Sequence, residues 1–182
     1  MEIITKRFLL HDFVQEDEPA FLAYHADPRY AEFCSPEEVS PDFTHQLLQR
    51  FIQWATEVPR RNYQLAIVGH RNLELIGCGG LRQDSSDSGQ AELGMELAPQ
   101  YWGRYAYAIE IGKALIDFGF RDLGLGEIIG ISVNVNLRVS RLAERYGFRA
   151  IATQLGSDWI QMQGWSQIKW HLTRESWEHW GN

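Results

Sequence analysis

Two strand-like runs, Ala91–Ala98 and Glu127–Val133, are joined by one amphipathic helix, and this fixes the centre of any fold the chain adopts. A strand, helix and strand in succession bring the second strand back parallel to the first, in a right-handed crossover. Between the first strand and the helix lies Pro99-Gln100-Tyr101-Trp102-Gly103-Arg104, a proline turn and a short glycine-containing loop. A strand, a loop and a helix N-terminus together make an anion site. The free N–H groups of the first helical turn converge there, and the helix dipole favours negative charge. Gly103 alone is a weak phosphate signal, because most strand-to-helix turns bind nothing.

The pleat of the first strand sends Glu92, Gly94 and Glu96 to one face and Leu93, Met95 and Leu97 to the other. The helix that follows carries Tyr105, Ile109, Gly112, Ile116, Gly119 and Leu123 on one stripe, and Gly124-Leu125-Gly126 stops it. The second strand is a continuous apolar run interrupted by Gly130, which predicts burial on both faces. Asn134 or Asn136 can cap the next helix, which buries Val139, Leu142, Ala143 and Tyr146 and ends at Gly147.

Upstream, Phe8 to Leu10 reads as a strand and Asp12 to His25 as helical. Ser35-Pro36 and Ser40-Pro41 are both helix-start signals. After Ser40, the spacing of Phe43, Leu47, Phe51, Trp54 and Val58 predicts one buried helical face. Tyr63–Val68 and Leu73–Leu81 form a hairpin pair, and the polar stretch Gln83–Gly89 is the best candidate for mobility. Downstream, a strand is expected near Trp159–Met162, a turn at Gln163-Gly164, a strand from Trp165 to Leu172, and a closing helix with Trp177 and Trp180.

The length of 182 residues and 45% apolar content suit a single domain over residues 1–182 with a real core. A formal charge of −7 argues against nucleic-acid binding and suits an amine-bearing substrate. Cys34 and Cys78 have no metal-ligand spacing, so no metal is expected and a reduced, cytoplasmic setting fits. No apolar run is long enough to span a membrane, and Met1–Lys6 lacks a signal-peptide core.

The order of these pieces resembles the GNAT N-acetyltransferases, in particular the RimJ/RimL-type branch, which acetylates protein N-terminal amines. The likeness rests on Thr5-Lys6-Arg7-Phe8-Leu9-Leu10, Ile76-Gly77-Cys78-Gly79-Gly80-Leu81, Glu92–Leu97, Pro99-Gln100-Tyr101-Trp102-Gly103 and the run Asn136–Phe148. It implies an α+β, three-layer fold: a mixed, twisted sheet whose central strands splay apart, flanked by helices. It also implies acetyl-CoA as cosubstrate, lying in that gap. The expected contacts are Met95 and Leu97 on the strand, Trp102, Gly103, Arg104, Tyr105, Ala106, Tyr107 and Ala108 at the helix N-terminus, and Asn136. A splayed pair leaves backbone groups that need partners, and the amides of a pantetheine arm can serve as a pseudo-strand. A backbone N–H near Leu97 would polarise the thioester carbonyl.

The sequence departs from the family in two places. The family loop runs W-G-x-G-Y-A; here either Tyr105 replaces the second glycine, or one residue is inserted and Ala106 does. Arg104 is either a phosphate contact or a solvated surface arginine. In the next helix, the positions where the family places a serine and a tyrosine acid fall on Val139 and Ala143. Ser140 faces about 100° away from the first of these. Tyr146 lies one turn later and is a core aromatic by default.

Acetyl transfer needs a neutral amine. An N-terminal amine (pKa about 8) or a side-chain amine (about 10) must first lose a proton, and a carboxylate can take it through water. Glu96 and Glu92 are the candidates, with Glu96 preferred because it is nearer the loop. Tyr24, His25 and Asp158 could line the acceptor side. The acceptor is then a protein N-terminal amine or a small amine such as a polyamine or aminoglycoside. A CoA-binding protein without catalysis is the competing reading, and the Trp-rich tail is a candidate homodimer surface.

Overall fold

The structure is a computed structural model describing residues 1–83 and 89–180. Eight strands form one mixed sheet in the order β1-β2-β3-β4-β5-β6-β8-β7. They are β1 (Glu2–Ile4), β2 (Phe8–Asp12), β3 (Asn62–Gly69), β4 (Leu75–Arg82), β5 (Gln90–Leu97), β6 (Glu127–Val133), β7 (Arg149–Gln154) and β8 (Gln167–Thr173). The helices are α1 (Glu18–His25), α2 (Pro41–Trp54), α3 (Tyr105–Asp117), α4 (Leu137–Arg145), α5 (Asp158–Met162) and α6 (Arg174–Trp180). The expected α+β architecture is what the chain adopts: the sheet is covered by helices on both faces.

Alternation decides which helix covers which face. Ala66, Val68 and Cys78 join Phe21, Tyr24, Leu48 and Phe51 in a core under α1 and α2. On the opposite face Leu65, Ile67, Ile76 and Leu97 pack with Ile111 and Leu115 of α3. A third cluster, including Ile128, Phe148, Trp170, Leu172 and Trp177, fills the β6–β8 half. The Trp177 indole donates to Asp117 Oδ1 at 2.9 Å, so α6 is fastened to α3.

Ser40 caps α2 as expected, accepting from the Phe43 amide at 3.2 Å. Its buried line is Thr44, Leu48 and Phe51. Phe43, Leu47 and Trp54 lie at the margins, and Val58 is 95% exposed. Ser35 and Glu38 exchange backbone-to-side-chain bonds, but only a turn follows. The start expected for a helix at Asp12 is instead the end of β2; a 3₁₀ turn at Gln15–Asp17 leads into α1. In α3 the buried residues are Ile111, Gly112, Leu115 and Ile116, whereas Tyr105 is half exposed. The helix continues into a π-helical turn over Phe118–Asp122, and Gly124 follows at φ +69°.

Three expectations are corrected. Only Ile128 and Ser132 of β6 are buried, because the strand borders an open cleft instead of a second packed strand. The segment at Trp159–Met162 is helix α5, started by Ser157, whose hydroxyl accepts from the Ile160 amide. The strand that pairs with β8 is β7, exposed along its whole length. The expectation of mobility at Gln83–Gly89 falls mainly on residues 84–88, outside the described residues. Among the described residues no helix is long and apolar enough to cross a membrane.

Candidate active site

Strands β5 and β6 are parallel neighbours, as their connection through α3 requires, but they pair only at Gln90–Glu127, Ala91–Ile128 and Glu92–Ile129. Beyond Glu92 they part. Their outer edges stay fully paired, β5 to β4 through Leu97 and β6 to β8 through Val133. The Ala98 amide bonds the Ile76 carbonyl on the β4 side. By strand alternation the N–H and C=O groups of Leu97, Met95 and Leu93 then point toward the gap. The Leu97 carbonyl accepts there from the Trp102 indole at 2.7 Å.

The gap opens into two adjoining cavities. One, of about 320 Å³, lies among Glu92, Leu93, Gly94, Ser132, Ala143, Tyr146 and Trp170. The other, of about 380 Å³, is lined by Tyr30, Phe33, Cys34, Glu96, Leu97, Trp102–Tyr105, Ala108, Arg138 and Arg141. Met95, Asn136, Val139 and Leu142 border both, so the two form one cleft.

Glu96 and Glu92 point to the same face of β5, yet they stand in different surroundings. Glu92 is ion-paired with Arg82 at 2.7 Å. Glu96 accepts from the Tyr24 hydroxyl on Oε1 and from the Tyr30 hydroxyl on Oε2, both at 2.6 Å. The Cys78 thiol and His25 Nε2 each lie 3.4 Å from Oε1. Burial, then the nearby Cys78 and Glu96, push the Tyr24 hydroxyl well above its usual range. Burial, then Glu96, does the same to Tyr30. Burial, then Glu38 and Glu96, raises the Cys34 thiol to about 12. These groups are therefore protonated near neutral pH, and the phenols act as donors, leaving the carboxylate as acceptor. A carboxylate has about four acceptor sites, so Oε2, with one bond filled, retains one.

At the N-terminus of α3, Gly103 has φ +82°, with no atom within 4 Å of where a Cβ would stand. This left-handed turn lets Trp102 fold back while α3 begins at Tyr105. The Arg104 amide bonds Tyr101 O and the Tyr107 amide bonds Arg104 O. Among the described residues the Gly103 amide makes no backbone hydrogen bond, and the Tyr105 and Ala106 amides are first-turn donors without intrahelical partners. Tyr105 donates its hydroxyl to Arg141 O at 3.2 Å, bridging α3 to α4. Arg104 lies at the cavity wall, although its guanidinium also bonds the Tyr107 hydroxyl at 3.1 Å.

Two of the expected contact residues turn elsewhere. Tyr107 packs edge-on against Phe8, ring centroids 4.9 Å apart, and Ala106 accepts from Arg7; neither borders the cleft. Asn136 does border it, and its Oδ1 caps α4 by accepting from Val139 N at 3.3 Å. Val139 and Ala143 present only hydrocarbon to the cleft. Tyr146 is buried and donates its hydroxyl to Ala108 O. Asp158 is exposed and away from the cleft. Sequence reasoning missed Tyr30, Phe33 and Arg138. The Arg138 guanidinium stacks on Trp102 and pairs with Glu32, which lies 106 residues away in sequence.

A family model described as an acetyltransferase (GNAT) domain matches residues 7–149. The chain belongs to the GNAT acetyltransferase family. It is similar to an uncharacterized N-acetyltransferase, YoaA, of Bacillus subtilis (strain 168), at 26% identity over 80% of this chain and 81% of that protein. In fold it is similar to a GNAT-family acetyltransferase from Bacillus anthracis, with TM-score 0.78, 20% identity, and coverage of 96% of this chain and 99% of that one. It is likewise similar to the ribosomal-protein-S5-alanine acetyltransferase from Vibrio fischeri, with TM-score 0.77, 14% identity and coverage of 97% and 98%. This GNAT enzyme uses acetyl-CoA as its cosubstrate and an amine-bearing acceptor. The cleft suits such a molecule: an apolar slot bordered by backbone groups, ending at undersatisfied helix-start amides.

Proposed function

We propose that this GNAT acetyltransferase is of the RimJ/RimL type, acting on a protein N-terminal amine, with Glu96 as the group that takes up the amine proton. The observation that carries the reading is the Glu96 carboxylate, one-third exposed at the cavity and clamped by Tyr24 and Tyr30. Its remaining acceptor site can take a proton directly or through water. An N-terminal amine needs less help than a lysine, since about half a population with pKa near 8 is neutral at that pH. The Vibrio fischeri protein named above is a ribosomal-protein-S5-alanine acetyltransferase, which agrees with this acceptor class.

In this reading the amides of Gly103 and Tyr105 receive the pyrophosphate, with Arg104 beside them. Met95 and Leu97 offer backbone groups to the pantetheine arm, and Trp102, Ala108 and Asn136 line its path. The thioester supplies an activated acetyl carbon. With Val139 and Ala143 apolar, the departing thiolate takes its proton from water. Glu92, held by Arg82, shapes the deeper cavity.

The test is a thiol-release assay with purified enzyme, acetyl-CoA, peptides bearing free N-termini, the same peptides N-terminally blocked but carrying lysine, and a set of polyamines and aminoglycosides. Turnover confined to free N-termini supports the reading. Turnover confined to the small amines overturns the acceptor assignment.

A further inference from the structure

His25 is a titratable side chain, almost fully buried beside the cleft, that the proposed reaction leaves unused. It is 2% exposed at the C-terminal end of α1. Its Nδ1 lies 2.8 Å from Phe21 O. A carbonyl oxygen only accepts, so Nδ1 carries a proton. In the neutral ring Nε2 is then a bare lone pair. Among the described residues it is the one buried side-chain polar atom without a hydrogen-bond partner, and it stands 3.4 Å from Glu96 Oε1.

A buried lone pair facing a carboxylate oxygen is unfavourable, and one added proton between them converts the repulsion into a charge-assisted bond. We propose that His25 and Glu96 act as one proton acceptor, His25 being the positioning residue through which Glu96 holds the acceptor's proton. The proposal rests on the reading of Glu96 as the base. The acceptor ammonium gives one proton to Glu96 Oε2, directly or through water; rotation of the carboxyl group carries it to the His25 side, where Nε2 takes it, leaving Nε2–H bonded to the carboxylate. The amine keeps the lone pair that attacks the acetyl carbon. No electron changes hands, and after transfer the proton returns to solvent.

The surroundings confine the proton to this pair. From α1, the Phe21 and Tyr24 rings lie 4.2 and 4.3 Å from the imidazole, centroid to centroid. From the 3₁₀ turn, the Tyr30 ring lies 4.3 Å away. Both phenols already donate to Glu96, and the Cys78 thiol from β4 approaches the same Oε1. Nε2 is therefore the nearby site able to accept.

The experiment compares wild type, His25→Asn and Glu96→Gln as full-length enzymes. An Asn amide N–H replaces Nδ1–H toward Phe21 O, but nothing replaces Nε2. His25→Asn should lower kcat about tenfold and move the acid limb of the pH–kcat profile toward acid, because the imidazole no longer shares the proton. Its affinity for acetyl-CoA should match wild type. In wild-type enzyme with ¹⁵N-histidine, the Nε2 resonance of His25 should become protonated over the pH range in which kcat falls. That range should shift in Glu96→Gln. An unmoved acid limb in folded His25→Asn, or an Nε2 that stays unprotonated through the limb, overturns the pair while leaving the Glu96 reading standing. Wild-type turnover in Glu96→Gln overturns the Glu96 reading itself. If His25→Asn does not fold, the wild-type resonance decides alone.

Discussion

The Arg138 guanidinium lies 4.3 Å from the centre of the Trp102 ring, joining α4 to the loop before α3 across the mouth of the cleft. The same guanidinium pairs with Glu32, so three separate segments meet at one exposed arginine. Neither partner is near Arg138 in sequence.

Removing this junction should alter binding more than stability. An exposed ion pair contributes roughly 0–1 kcal/mol and an exposed cation–π contact about 0.5–1 kcal/mol. Arg138→Ala should therefore lower the melting temperature by only a few degrees while raising the acetyl-CoA KM several-fold. Thermal melts and steady-state kinetics check this. An unchanged KM would make the junction purely structural.

Gly103→Val should weaken acetyl-CoA binding by about tenfold or more with little loss of fold. The space around Gly103 is open, so the side chain itself fits. The strain comes from φ +82°, where a β-branched residue costs about 1–2 kcal/mol, and relief of that strain turns the amides at the start of α3. Calorimetric titration with acetyl-CoA measures it; unchanged affinity in a folded variant places the phosphates elsewhere.

Glu96→Gln should reduce kcat by about 10²–10⁴-fold and leave acetyl-CoA affinity nearly intact. One of the Tyr24 and Tyr30 hydroxyls can still donate to the amide oxygen, and the other can turn to accept from the amide N–H, which preserves the local packing. The deficit should narrow as pH rises and more acceptor is already neutral. A loss of acetyl-CoA binding instead would make Glu96 a structural residue.

Gly112 allows α3 and Tyr146 to approach closely: a Cβ there would stand 2.0 Å from the Tyr146 hydroxyl. Gly112→Ala should destabilise by about 1–3 kcal/mol through overpacking. Adding Tyr146→Phe should recover part of that loss, because the closest clashing atom is removed. A double-mutant cycle by denaturant titration reads the coupling; strict additivity would count against the clash.

Glu110 gives a pH-dependent contribution of predictable sign. Burial raises its carboxyl, but bonds from the Thr5 hydroxyl, the Arg7 guanidinium and the Arg7 amide outweigh this, and the net shift is downward. A depressed folded value means stability present above the unfolded pKa of about 4.3 and lost as pH falls through the folded one. Glu110→Gln should thus lower the melting temperature clearly at pH 7 and much less near pH 3. An equal loss at both pH values would show that shape, not charge, holds the site.

Elements with strong patterning were legible in the sequence. The β3–β4 hairpin, β5 with its pleat, and the span of β6 follow from alternation and from Gly and Pro punctuation. The edge strand β7 was not, because Arg149-Ala150-Ile151-Ala152-Thr153-Gln154 buries neither face and so carries no alternation. The short run Trp159–Met162 mimics a strand, and only the Ser157 cap marks it as helix. At the site, the pleat put Glu96 on the same face as Glu92, but its hydrogen-bond partners could not be read. Tyr24 and Tyr30 come from segments 72 and 66 residues away, and no local spacing records a contact made by tertiary packing.

The parted strands β5 and β6 have a consequence for ligand entry. Because each is braced by a fully paired neighbour, the slot has a set width before anything enters it. If the pantetheine chain lies in this slot as proposed, it should slide between walls already set and have no need to pry them open. Little of its binding energy goes to ordering protein, association should proceed as a single fast phase, and bulky substituents near the thiol end should be refused by the breadth of the slot before their length matters.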